Sequence, residues 1–266
     1  MRVNGAKFKW IASFTTEPMK DYFSEQAAEY AQFRPGYPQA LIDFILANVS
    51  ERERAWDCGT GNGQLARMLA PYFKEVIATD VSEKQMQQAA TQDNIRYMVQ
   101  AAGSSNFEAD QFDLITIAQA IHWFPFAQFY VDALRTLKKE GLLIAICYQL
   151  PEIEYHIDKL VYRLYQPILG DYWEPERHYV DEGYDTIPFP FNDLETPQLV
   201  QLYDWTFDQL CGYLNTWSAG KHYREVNGKD ALDLIYPELK AAWGAESSRE
   251  VQFPIRIRAG RKFPVD

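Results

Sequence analysis

The chain has 266 residues and carries 26 Lys and Arg against 37 Asp and Glu, a formal net charge of −11. That balance argues against a nucleic-acid groove, which needs a concentrated basic face. With 47% hydrophobic and 15% aromatic residues the chain can build a sizeable core, so a folded chain is expected, as one large α/β domain with insertions or two small domains.

Taken in chain order, the spacing predicts an amphipathic helix from about Glu17 to Phe33, a break at Pro35-Gly36-Tyr37-Pro38 and a helix from Gln39 to Val49. Strands are expected near Ala55–Cys58, Val76–Thr79, Ile95–Val99, Leu114–Ile117 and Leu142–Cys147. Helices near Gly63–Tyr72, Glu83–Ala90 and Phe126–Leu137 separate them. Strands that recur after helices imply a parallel, doubly wound sheet with right-handed crossovers. Residues 151–193 then turn rich in aromatic residues, proline and acids. Alternation returns at Leu199–Trp205, helices are expected near Phe207–Leu214 and Lys229–Trp243, and a last strand near Glu250–Ala259. Arg256 and Arg258 alternate with apolar residues there and read as the solvated face of that strand rather than a basic patch.

Cys58, Cys147 and Cys211 form no C-x-x-C pair, so neither a disulfide framework nor a zinc site is indicated. The histidines beyond His122 are too widely spaced for a metal, and no metal is expected. Trp10–Phe14 is too short for the apolar core of a signal peptide and no segment reaches membrane-spanning length. The expectation is a cytoplasmic protein with a small-molecule substrate, without nucleic-acid or membrane partners. The sequence leaves its oligomeric state open.

The chemistry concentrates in two acids and a glycine loop. Ala55-Trp56-Asp57-Cys58-Gly59-Thr60-Gly61-Asn62-Gly63 reads as an apolar strand ending in an acid, then a turn into a helix; Val76-Ile77-Ala78-Thr79-Asp80 is a second such strand. Glycines at alternating positions let the chain turn tightly and a ligand approach the backbone. An acid at the end of the second strand is placed for ribose hydroxyls. Gly61 to Ala66 also satisfies a dinucleotide pattern, which keeps an NAD(P)-dependent oxidoreductase as an alternative. Asp57 at the strand mouth, however, suits an ammonium group and repels a pyrophosphate. S-adenosylmethionine carries that ammonium and a ribose but no phosphate.

In these residues the chain resembles the class I S-adenosylmethionine-dependent methyltransferases, whose first motif is an acid followed by G-x-G-x-G. Ala118-Gln119-Ala120-Ile121-His122-Trp123-Phe124 is similar to the A-Q-A-x-H-W-F run of the type-11 group related to trans-aconitate methyltransferase. Tyr30 to Pro38 is similar to that group's Y-x-x-x-R-P-x-Y-P segment. The resemblance implies a Rossmann-like, seven-stranded sheet, mostly parallel with an antiparallel last strand, and helical cap insertions at 151–193 and 206–248. It implies a single domain, with an N-terminal helical lid at 17–50, a cofactor-binding core at 51–150, and the last strands at 196–205 and 249–260.

The implied cofactor residues are Asp57, Gly59, Thr60, Gly61 and Asp80, with Val81 beside the adenine and Gln119 near the methionine portion. Tyr30 and Arg34, four apart on one helix face, close over the cofactor, and Arg34 is expected to grip its carboxylate. Tyr37, His122 and Trp123 are expected against the substrate. His122 follows the strand that faces the transferable methyl, and an imidazole there is a base for acceptors that must lose a proton. Relatives usually carry an acid after the third strand for the adenine amine. Here Ala101, Ala102 and Gly103 occupy those positions with Ser104 and Ser105 behind, leaving a backbone carbonyl or a serine hydroxyl as the expected acceptor. That departure also keeps a non-catalytic, cofactor-binding relative as an alternative. The leading expectation is O-methylation of a carboxylate or hydroxyl on a small acceptor.

Overall fold

The central strands carry apolar side chains at successive positions, so both of their faces need cover, which a parallel sheet with crossover helices supplies. The computed structural model describes residues 33–262; Tyr30, with nearly all of the helix expected over 17–33, lies outside them. β1 (Arg54–Cys58), β2 (Glu75–Asp80), β3 (Ile95–Val99), β4 (Phe112–Ala118) and β5 (Leu137–Tyr148) run parallel in the order β3-β2-β1-β4-β5. Two further strands, β6 (Asn192–Asp193) and β7 (Leu199–Trp205), share one edge of β8 (Arg249–Arg261), whose other edge pairs antiparallel with β5.

Among the described residues the sheet has eight strands where seven were expected. β6 is the addition, two residues held on β8 where Arg258 binds the Asp193 carboxylate. Two residues carry no alternation by which a sequence could announce them.

Neighbouring side chains of each central strand enter different cores. Ala55, Val76, Leu114, Ile144 and Ile146 pack with α1 (Gln39–Asn48) and α2 (Gln64–Leu69). Trp56, Ile77, Ile115, Leu143 and Ala145 pack on the opposite face. Of the next two helices, α3 (Glu83–Met86) is a single turn, and α4 (Phe126–Thr136) supplies Phe129 and Ala133 to that second core. Each fully buried aliphatic side chain contributes about 1.5–3 kcal/mol. β7 alternates half-buried with exposed residues, as a strand at a sheet edge does.

The segment after β5 crosses the sheet. α5 (Tyr155–Arg163) places Ile157 and Val161 in the first core, while Val180 of α6 (Arg177–Asp181), Tyr184 and Ile187 lie in the second. The chain between them therefore passes over the carboxyl ends of the strands. The later insertion has three helices, α7 (Phe207–Asn215), α8 (Ser218–Asn227) and α9 (Tyr236–Trp243), where two were expected. Gly228 ends α8 in a left-handed conformation and Pro237 sits in the first turn of α9, so the expected Lys229–Trp243 helix starts seven residues late. Thr206 and Gln209 form a capping box that opens α7.

Candidate active site

β1 has β2 on one side and β4 on the other, so the chain leaves β1 and β4 in opposite directions and opens a crevice at their carboxyl ends. A cleft of about 990 Å³, its open mouth included, occupies that place. Its wall brings together Arg34, Tyr37, Asp57, Gly59, Thr60, Gly61, Asp80, Val81, Ala102, Gln119 and Trp123, all singled out from the sequence. Gly103 and His122 are not on it.

The glycine loop is shaped by two requirements. Gly59 and Gly61 have φ of 72° and 56°, a left-handed conformation that opposes a Cβ. A Cβ on Gly59 would also stand 2.6 Å from that of Ala120, whereas at Gly61 the nearest atom would be 4.0 Å away, leaving the backbone open to the cleft. The loop is tied from below: Asp80 accepts from the Gly61 amide and the Ser82 amide, each at 2.8 Å. Asp80 therefore shapes the loop as well as standing where a ribose would lie.

Asp57 is 1% exposed and accepts from the hydroxyls of Thr60 at 2.6 Å and Thr116 at 2.7 Å. Burial pushes its carboxyl up to about 6, and those two hydroxyls pull the other way. Two hydroxyls and the Ala66 backbone amide act on this carboxylate, which has four acceptor sites and so retains capacity for a cation. Gln119, at the end of β4, is held at φ 55°, an uncommon conformation for a residue with a side chain. Its amide donates to the Tyr148 carbonyl at 3.3 Å.

The N-terminal side of the cleft is pinned. Arg34 donates through its two terminal nitrogens to the Tyr148 hydroxyl at 2.8 Å and the Thr216 carbonyl at 2.9 Å, and lies over the Tyr213 ring. The expected bidentate grip on a ligand carboxylate is thus replaced by a clamp between the N-terminal segment, β5 and the α7–α8 turn. The Gly36 amide donates to the Tyr203 hydroxyl at 2.6 Å, so that position is anchored rather than free to flex.

His122 departs from its expected role. It is 6% exposed and faces away from the cleft, with Nδ1 2.9 Å from the Tyr184 hydroxyl. Burial, helped by the charge of Arg177, pushes its pKa down to about 3, so the ring stays neutral near pH 7. Trp123, beside it, is the member of the pair that reaches the wall. Gly103, at φ 82°, serves packing: a Cβ there would stand 2.8 Å from the Phe129 amide nitrogen of α4.

Sequence reasoning missed Ser82, Gln85, Gln100 and Tyr148, all on the wall. Ser82 caps α3 by accepting from the Gln85 amide, an S-x-x-Q signal visible in the sequence. Gln100 and Tyr148 stand at the carboxyl ends of β3 and β5, where the same strand-end rule that found Asp57 applies. Among the described residues no group of three or more His, Cys, Asp or Glu side chains could hold a metal, and no helix is long and apolar enough to cross a membrane.

The wall suits a nucleoside bearing an ammonium group: two carboxylates, a loop open at its backbone, and neither lysine nor histidine among the described lining residues. Comparison with known proteins agrees. A family profile described as a methyltransferase domain matches residues 56–145, from β1 through most of β5. A protein of Dictyostelium discoideum named as a candidate methyltransferase is 32% identical over 93% of this chain and 97% of its own length. A Saccharomyces cerevisiae protein named as a probable S-adenosylmethionine-dependent methyltransferase is 28% identical, over about half of each chain. A solved structure from Anaeromyxobacter dehalogenans, described as a candidate type II methyltransferase, shares 39% identity with a TM-score of 0.81, covering 88% of this chain and all of that one. The nicotinamide alternative falls with these matches, and the like-charge argument at Asp57 is its physical reason. The chain belongs to the class I S-adenosylmethionine-dependent methyltransferases, and S-adenosylmethionine is its cofactor.

Proposed function

We propose that the protein methylates an oxygen of a small, partly apolar acceptor, a carboxylate ahead of a hydroxyl. The cofactor supplies a methyl group on a sulfonium, which an acceptor oxygen attacks in line. The observation that carries the choice is the withdrawal of His122. The titratable groups on the described wall are Asp57, Asp80, Arg34, Tyr37 and Tyr148. Both aspartates are engaged by Thr hydroxyls or loop amides, and the Tyr148 hydroxyl accepts from Arg34. A phenol, an ammonium or a carbon acid must lose a proton to react, and an imidazole is not at hand; a carboxylate is already ionised at neutral pH. Catalysis then consists of holding the oxygen and the methyl in line and excluding water.

Arg177 supports an anionic acceptor. Its guanidinium lies 4.9 Å from the Trp173 ring centroid and 5.3 Å from that of Tyr165, with Nε donating to the Tyr165 hydroxyl. The side chain is 20% exposed, its Nε lies 3.3 Å from the Asp181 carboxylate, and its two terminal nitrogens make no hydrogen bond to the described residues. Residues 151–193 serve in this reading as the cap that completes the acceptor pocket, and the pinned segment from Arg34 to Pro38 as the edge of a lid.

The reading is tested by following release of S-adenosylhomocysteine with a panel of aliphatic acids, phenols and amines. Turnover with acids, level between pH 6 and 8, is expected. Turnover confined to amines would contradict it.

A further inference from the structure

We propose that Gln100 reads the purine ring of the bound cofactor, in place of the acid expected after the third strand. The inference rests on S-adenosylmethionine being the ligand of the cleft. The sheet order supplies the direction: Asp57 and Gln119 end β1 and β4 on the methionine side, and Asp80 ends β2, where the ribose lies. Past β2 the sheet continues to β3 alone, so the ring projects over the end of β3. The residue there is Gln100, whose amide N–H donates to the Asp80 carbonyl at 2.9 Å and whose side chain lines the cleft.

The two serine side chains in the turn are otherwise placed. Ser105 gives both its amide and its hydroxyl to Asp132, and the other partner of Asp132 is Arg135. Ser104 is exposed, its hydroxyl 3.4 Å from the Ala101 carbonyl, and neither serine reaches the cleft wall. The Gln100 side-chain amide, in contrast, makes no hydrogen bond to the described residues, and its Nε2 is buried. A buried amide left this way is unfavourable unless something pairs with it.

A glutamine amide matches the Watson–Crick edge of adenine at two points: its carbonyl accepts from the 6-amino group while its NH₂ donates to N1. A carboxylate only accepts. The difference has a consequence for specificity. By turning 180° about its last torsion the amide offers a donor to a 6-oxo group, so this site accommodates hypoxanthine as well as adenine, whereas an acid would repel the oxo group.

Calorimetry on the full chain with S-adenosylhomocysteine and S-inosylhomocysteine tests this, with Gln100→Met, which keeps length and volume, and Gln100→Glu. The wild type is expected to bind both ligands within about fivefold of each other. Gln100→Met should lose about tenfold for each, the size of one hydrogen bond. Gln100→Glu should keep S-adenosylhomocysteine and lose S-inosylhomocysteine by about tenfold or more. Melting curves confirm that each variant is folded. Wild-type affinity in Gln100→Met, or the same adenine-to-hypoxanthine ratio in Gln100→Glu as in the wild type, would overturn the role of Gln100. A wild type that binds neither ligand would overturn the cofactor assignment itself.

Discussion

The two ends of the cleft are built over different distances along the chain. At the cofactor end, Thr60 bonds Asp57 three residues away, Ser82 bonds Asp80 two residues away, and Gly61 bonds Asp80 across 19. At the acceptor end, His122 meets Tyr184 across 62 residues, and Arg34 meets Tyr148 across 114 and Thr216 across 182. The first end is a local device of two strands and a loop. The second joins residues from segments far apart along the chain. Lesions at the first should therefore weaken the cofactor and leave acceptor handling alone, and lesions at the second should do the reverse.

The sharpest break is expected at Gly59. Gly59→Val puts a branched side chain into left-handed backbone and against Ala120. Affinity for S-adenosylhomocysteine, read by calorimetry, should fall by roughly two orders of magnitude. Asp80→Ala removes the acceptor of two loop amides along with any ribose contact, and a loss of roughly tenfold to a hundredfold is expected. Normal binding in both variants would erase the distinction between the two ends.

Arg34→Leu probes the other end. Its terminal nitrogens are already bonded to protein, so binding of S-adenosylhomocysteine should stay within about threefold while acceptor KM rises about tenfold. A large loss of cofactor affinity would instead return Arg34 to the ligand carboxylate.

Asp57 links the cofactor end to pH. Its folded pKa, about 6, lies above the ordinary value of 3.8, so the folded state holds the proton more tightly between those limits. Folding stability then falls as pH rises from about 4 to 6 and is level above. Asp57→Asn should melt higher than the wild type at pH 7 and alike near pH 3.5, a difference of about 1–3 kcal/mol. An ammonium ligand favours the ionised carboxylate, so S-adenosylhomocysteine should bind the wild type more tightly as pH rises through about 6. Equal melting of the two proteins at pH 7 would show that burial of this charge is compensated.

The smallest effect is expected at His122. With its pKa pushed down to about 3, the ring does not titrate between pH 6 and 8. His122→Gln should change kcat by less than about threefold, where loss of a working base would cost about a hundredfold or more. A steep, pH-dependent loss would restore the histidine as a base.

The same contrast explains what could be read from the sequence. β1, β2, the glycine loop, Asp57 and Asp80 were legible because each is declared within about ten residues, by an apolar run, a terminal acid and glycines that the backbone requires. The burial of His122 was not legible, because its ring is held by Tyr184, 62 residues on, and no local pattern encodes that contact. Arg34 was placed at the cleft correctly, yet its partners Tyr148 and Thr216 come from elements far along the chain. Gln100 and Tyr148 were within reach, since both end parallel strands, but glutamine and tyrosine at such positions carry no charge signal. β6 is too short for periodicity, α8 fell between the two expected helices, and α9 was begun at Lys229 because the weight of Pro237 as a helix start was not used.

The most direct measurement follows a radiolabelled methyl group from S-adenosylmethionine into a panel of aliphatic mono- and dicarboxylic acids, phenols and amines, and then treats the products with alkali. A methyl ester releases its label as volatile methanol, whereas a methyl ether or a methylamine keeps it. The account predicts transfer to the acids with the label lost to alkali. Transfer only into alkali-stable products, or no transfer to any acid, would contradict it.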